Sequence, residues 1–130
     1  MIRDLALAAK ASCSLEDQES LVPLILQLKK LSELVSKQGI LALENELNQI
    51  NDPFLNLGAQ LIIDKIEPAN IKDILDSDIY YNQSNGRELL KKIIIREGLL
   101  RIQAGDSSRN VLICTKIFLS KVDGNAFRNP

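Results

Sequence analysis

The chain has 130 residues, 45% of them hydrophobic, which suits one domain with a single core of modest size. Its 16 basic and 17 acidic side chains leave a net charge of -1 and alternate along the chain, which excludes the basic stripe of a nucleic-acid binder. Histidine is absent, so histidine-dependent acid–base catalysis and the commonest neutral metal ligand are excluded as well.

Ile2 to Ala11 is rich in Ala and Leu and predicts a first helix. Met1 to Lys10 carries Arg3 and Asp4 and lacks both a long apolar core and a cleavage site, so no secretory signal is expected. Ser14 followed by Asp17 resembles a capping box, with Ser20 as a competing cap. Leu21, Leu24, Ile25, Leu28, Leu31 and Val35 then recur at three- and four-residue steps, which puts Gln27, Lys30, Ser32 and Lys37 on the other side of a helix that stops at Gly39. Ile40, Leu43, Leu47 and Ile50 begin a new helical period, so the chain makes a helical hairpin or sharp bend at Gly39.

Asp52-Pro53 predicts the next helix start, with Asp52 accepting backbone N–H groups and Pro53 at the first helical position, where its missing N–H leaves no bond unmade. Phe54, Leu57, Leu61, Ile62 and Ile66 follow at helical spacing, and Glu67-Pro68 restarts the chain into a segment with Ile71, Ile74, Leu75 and Ile79. Asn82 to Gly86 is polar and glycine-containing, and reads as a mobile linker. Beyond it, Leu89, Leu90, Ile93, Ile94, Leu100 and Ile102 outline a long helix ending at Gly105; Ser107 or Ser108 caps a last helix through Val111, Ile113, Cys114, Ile117, Phe118 and Val122. Residues 124–130 read as a frayed tail. The isoleucine runs at 62–63 and 93–95 are compatible with strands, but Gly and Pro punctuation at helical intervals favours an all-α domain of about five to seven short helices.

Little of this carries reaction chemistry. Cys13 and Cys114 lie far apart without metal or redox spacing, and read as reduced structural thiols. Glycines are isolated, so no phosphate loop is formed, and the Asp-Ser segments at 76–78 and 106–108 lack the further ligands of a calcium loop. No cofactor is expected. No apolar run approaches the roughly 20 residues of a membrane span, which makes the cytoplasm the expected compartment. Glu44 with Glu46, and Asp73 with Asp76 and Asp78, are the densest carboxylate groups and the basis of a minor enzyme reading; solvated helix faces explain them better.

Gly39 with Leu43-Glu44, Asp52-Pro53-Phe54-Leu55, Gly58 with Gln60-Leu61, Asp64, Pro68, and the run Gly98-Leu99-Leu100 with Ile102-Gln103-Ala104-Gly105 together resemble the cytoplasmic region of MotA, the A subunit of the flagellar stator. The resemblance covers residues 21–79 and 88–123, with 80–87 standing where two membrane spans would be, 1–20 as an added helical segment and 124–130 as a tail. It implies a non-enzymatic accessory that binds the stator A subunit and assists its assembly or stability. It permits a second reading, a stator-like domain, natural or engineered, that engages the rotor switch protein. In the family, charges near the first glycine contact the rotor. Glu44 stands at the matching acidic position; Ser36 occupies the basic position, and Lys37 is the nearest positive charge. Lys37, Leu41 and Glu44 are therefore the expected protein-binding residues, with Gly39, Asp52, Pro53 and Gly105 structural. Rings formed by the family imply self-association, with a dimer favoured.

Overall fold

The computed structural model describes residues 5–128, which form seven α-helices and two 3-10 segments, with no strand among the described residues. The helices are α1 (Leu5–Lys10), α2 (Leu15–Glu19), α3 (Val22–Gln38), α4 (Pro53–Ile63), α5 (Pro68–Tyr81), α6 (Gly86–Gln103) and α7 (Ser108–Lys116). The 3-10 segments are Ile40–Gln49 and Gly124–Phe127. The all-α expectation holds; the opening residues of the helix expected from Ile2 lie outside the described residues.

Helix α6 is the axis of the fold. Ten of its 18 residues are buried, including Leu89, Leu90, Ile93, Ile94, Ile95, Leu99 and Ile102, and a helix apolar around most of its circumference must be surrounded. Helices α3, α4, α5 and α7 do so. Close approach depends on Gly98, where an added Cβ would lie 2.8 Å from Leu28 of α3. One hydrophobic cluster, from Ala11 through Phe127, draws on every described helix except α2, with α1 contributing the half-buried Leu7. The first segment is tied to the end of the chain by the Lys121 N–H, which donates to Gln18 Oε1 at 2.9 Å, and by Lys121 Nζ, which donates to the Cys13 carbonyl at 2.6 Å.

Helix ends follow local chemistry. Ser14 Oγ accepts the Asp17 N–H at 3.0 Å, so Ser14 caps α2 and Ser20 lies at that helix's far end. Asp52 Oδ1 accepts the Leu55 N–H at 3.0 Å with Pro53 in the first turn, as expected. Ser107, not Ser108, caps α7. Three helices end in the same paired arrangement of backbone bonds, around Lys65, Gln83 and Gly105, each at positive φ. At Gly105 the N–H groups of Gly105 and Asp106 reach the carbonyls of Ile102 and Arg101.

Five features differ from the sequence reading, the first being that α7 ends at Lys116, so Ile117, Phe118 and Val122 lie beyond the helix expected to carry them. Residues 40–49 wind as a 3-10 segment, not an α-helix. Ser32 is buried, its hydroxyl directed at the Asp106 carbonyl at 3.4 Å. Residues 124–127 form a turn whose Phe127 is buried against the core, where a frayed tail was expected. The linker expected at 80–87 shrinks to 82–85, because α5 runs through Tyr81 and α6 opens at Gly86; Ser84 within it is buried.

Candidate protein-binding site

The reversal at Gly39 is built on a conformation only glycine adopts readily. Its φ of 87° and ψ of 170° lie outside the left-handed helical region, in the extended region with positive φ. The Gly39 N–H still closes α3 onto the Val35 carbonyl at 2.8 Å, while the Gly39 carbonyl starts the next segment by accepting the Ala42 N–H at 3.2 Å. One residue thus ends one helix and begins another with no spacer.

The 3-10 winding decides what this hairpin displays. At three residues per turn, positions i and i+3 eclipse, so Leu41 and Glu44 share one edge and Ile40 and Leu43 another. The second edge faces the core: Leu43 and the adjacent Ala42 are buried and Ile40 packs against the cluster. The first faces out, with Leu41 62% exposed and Glu44 exposed beside it. Lys37, in the last turn of α3, is exposed too, and among the described residues neither Lys37 nor Glu44 has an ion-pair partner. The structure therefore brings the three expected residues to the same reversal, all outside the core.

The hairpin is fixed from beneath by Asn56 of α4, whose side-chain amide donates to the carbonyls of Leu47 at 2.9 Å and Ile50 at 3.3 Å. Asn56 was not singled out from sequence; its position one turn into α4 beside the Asp52 cap was the available signal. Asp52 adds a second tie. Burial pushes its carboxyl up, but the Lys91 ammonium and the Leu55 and Phe54 N–H groups outweigh this and hold it below the ordinary carboxylate range. On Lys91, burial pulls the ammonium down and the carboxylates of Asp52 and Glu88 more than compensate, leaving it raised.

A contrasting polar cluster fills the seam between α5 and α6. Lys92, 9% exposed, donates to Asp78 Oδ1 at 2.7 Å and Ser84 Oγ at 2.9 Å, with its ammonium 5.4 Å from the centre of the Phe54 ring. One turn along, Arg96 pairs with Asp76. The Asp73, Asp76 and Asp78 group is therefore divided: Asp73 is exposed, whereas Asp76 and Asp78 are committed to cations across the seam. A lysine set within the apolar stripe of Leu89 and Ile93 was the sequence signal for this cluster.

Among the described residues no group of three His, Cys, Asp or Glu side chains is placed to hold a metal ion, and no helix is long and apolar enough to cross a membrane. No protein-family model and no solved structure matches the chain. A stretch of 54 residues is 44% identical to Motility protein A of Borreliella burgdorferi, covering 42% of this chain and 21% of that protein. A stretch of 65 residues is 31% identical to the uncharacterized protein YtxD of Bacillus subtilis, covering 50% of this chain and 24% of that protein. The chain thus corresponds to about a quarter or less of the length of these relatives.

Proposed function

We propose that this chain is a non-enzymatic accessory of the flagellar motor, which binds the stator A subunit through the Gly39 hairpin and assists its assembly or stability. The observation that carries the reading is the 44% identity with a motility protein over 54 residues, in a chain whose described residues include no membrane-spanning helix. The described residues hold no helix able to cross a membrane, so the contribution proposed for them is a binding face. The hairpin offers one: a reversal with an exposed apolar side chain, Leu41, rimmed by Lys37 and Glu44, neither of which has an ion-pair partner among the described residues. Buried apolar anchors carry affinity, whereas rim charges chiefly set association rate and salt dependence.

The test is affinity capture from motile cells with the tagged chain, paired with motility and stator abundance in cells lacking it. The expected result is retention of the stator A subunit and its loss of abundance in the deletion strain. Absence of any stator subunit from the capture, with motility and abundance unchanged, would overturn the proposal. Capture of the rotor switch protein instead, abolished by Glu44→Lys, would establish the rotor-engaging reading in its place.

A further inference from the structure

Helix α7 is apolar on two sides. Val111 and Thr115 are buried against the core. Ile113, about 200° around the helix from Val111 at roughly 100° per residue, faces away from it and is 45% exposed. Four residues on, Ile117 is 71% exposed; it follows the last turn of α7 with helical dihedrals, φ -60° and ψ -24°, and so continues the same face. A surface helix ordinarily carries polar residues opposite its core stripe, so two exposed isoleucines at one four-residue step form an unpartnered apolar ridge.

The charges around the ridge favour an anionic cover. Over the whole chain acidic residues outnumber basic ones, 17 to 16, yet residues 107–122 carry Arg109, Lys116 and Lys121 and no Asp or Glu. Arg109 precedes Ile113 by four residues and Lys116 follows it by three, so both share the face of the ridge. Beside Lys116 a cleft of about 390 Å³ opens between α7 and the turn at 124–127, with Arg128 also on it and Leu112 and Phe127 among its walls. Asp123 is the one carboxylate among the described residues lining this cleft, and its Oδ1 accepts the Asn125 N–H at 2.8 Å. Among the described residues, none of Arg109, Lys116, Lys121 and Arg128 forms an ion pair.

We infer that this face rests on an anionic lipid surface, with Ile113 and Ile117 entering the boundary between headgroups and acyl chains and the flanking cations meeting lipid phosphates. The ridge is convex, so a protein partner would have to offer a groove cut to fit it, whereas a lipid interface closes around any convex contour. The cations are spread along the face and not gathered about one point, which matches an extended layer of phosphates. Two isoleucines bury too little area to hold the chain on a neutral bilayer, so binding depends on lipid charge and falls as salt rises. The face is separate from the Gly39 hairpin and involves no motor component, so its test and that of the proposed function have independent outcomes.

Flotation of the purified full chain with vesicles tests it, comparing equal parts phosphatidylglycerol and phosphatidylcholine with phosphatidylcholine alone. The wild type should float with the anionic vesicles at low salt, less at high salt, and not with the neutral ones. A basic residue near an anionic surface is worth roughly fivefold in partitioning, so the Arg109→Glu, Lys116→Glu double variant should partition at least tenfold more weakly at low salt. The Ile113→Ser, Ile117→Ser double variant should partition more weakly at both salt concentrations, with the helical circular dichroism of both variants unchanged. Ile74→Ser, which removes an exposed isoleucine from α5, should float as the wild type does. No flotation of the wild type at low salt would overturn the inference, as would equal flotation with neutral vesicles or flotation indifferent to both double variants. Retention on immobilised polyglutamate, lost in Arg109→Glu, Lys116→Glu and unaccompanied by flotation, would assign the face to an acidic protein partner and overturn it equally.

Discussion

The chain reverses direction at Gly39 and again between α5 and α6, and the two turns are held by opposite means. At the α5–α6 turn nearly every nearby charge is spent internally, Lys92 on Asp78 and Ser84, Arg96 on Asp76. At Gly39 the bend is secured by backbone geometry, by the buried Leu43 edge and by the Asn56 amide, and Lys37 and Glu44 are left to solvent. A turn held together by its charges cannot offer them to a partner; one held by backbone and apolar contacts can. This difference, more than the identity of the charged residues, is why we propose the Gly39 hairpin as the binding face.

The sharpest way to break the comparison is to take a charge from each turn. Asp78→Ala leaves the buried Lys92 ammonium without its carboxylate and should destabilise the fold by about 2 kcal/mol in urea unfolding, because the residual charge remains desolvated. Lys92→Met, which removes the charge together with its need for a partner, should fall within about 1 kcal/mol of wild type. Glu44→Lys and Lys37→Glu, by contrast, should leave stability within about 0.5 kcal/mol of wild type, as surface charges do. If Glu44→Lys proved as costly as Asp78→Ala, the distinction between the turns would be lost.

The Gly39 conformation gives the next largest effect. Val is disfavoured wherever φ is positive, and Asn, which tolerates the left-handed helical region, gains little where ψ is 170°. Both Gly39→Val and Gly39→Asn should therefore lose about 1–2 kcal/mol or more in thermal unfolding, although an added Cβ would touch nothing within 4 Å. At Gly105, in a paired-bond helix terminus, Asn should be tolerated better than Val. A Gly39→Asn protein as stable as wild type would show that the sharp bend contributes no constraint.

Asp52 connects the hairpin to α6 and makes stability depend on pH. Its folded carboxyl titrates below the unfolded value of 3.8, so its contribution is present above that value and is lost as pH falls through the folded value. Lys91, raised above 10.5, contributes fully below that pH and loses its effect as pH rises through its folded value. Asp52→Asn keeps a competent helix cap but removes the pairing with Lys91, and should flatten the acid limb of the stability profile relative to wild type. An unchanged acid limb in urea unfolding below pH 4 would show the pairing to be energetically silent. The smallest expected effect is a gain: Gln83→Gly relieves a non-glycine residue at φ 50° at the charge-held turn, and should stabilise it by about 0.5–1 kcal/mol, read as a rise in melting temperature.

The backbone plan was largely legible in the residues themselves. Gly39, Asp52-Pro53 and Gly105 each encode their local geometry within a few residues, so they mark helix boundaries without tertiary information. The 3-10 winding of residues 40–49 was not legible, because Ile40, Leu43, Leu47 and Ile50 fit a helical face; the tighter winding is stabilised by Asn56, which reaches back from α4. Ser32 and Phe127 were misplaced for the same reason, since their burial depends on contacts with residues distant in sequence. The linker at 82–85 looked mobile because Ser84 is polar; its order comes from Lys92 on the next helix. At the candidate site, the exposure of Lys37, Leu41 and Glu44 followed from sequence, whereas the pairings that withdraw Asp76 and Asp78 from the surface required the packing of α5 on α6.

The most direct measurement is the affinity of the purified stator A subunit for the wild-type chain, for Leu41→Ser and for the Lys37→Glu, Glu44→Lys double reversal, at low and high salt. Leu41→Ser should weaken binding at least tenfold, or about 1.4 kcal/mol, at both salt concentrations, and the double reversal should weaken it less and chiefly at low salt. Binding of Leu41→Ser indistinguishable from wild type, or no measurable binding of the wild-type chain itself, would show that the Gly39 hairpin is not a stator-binding face.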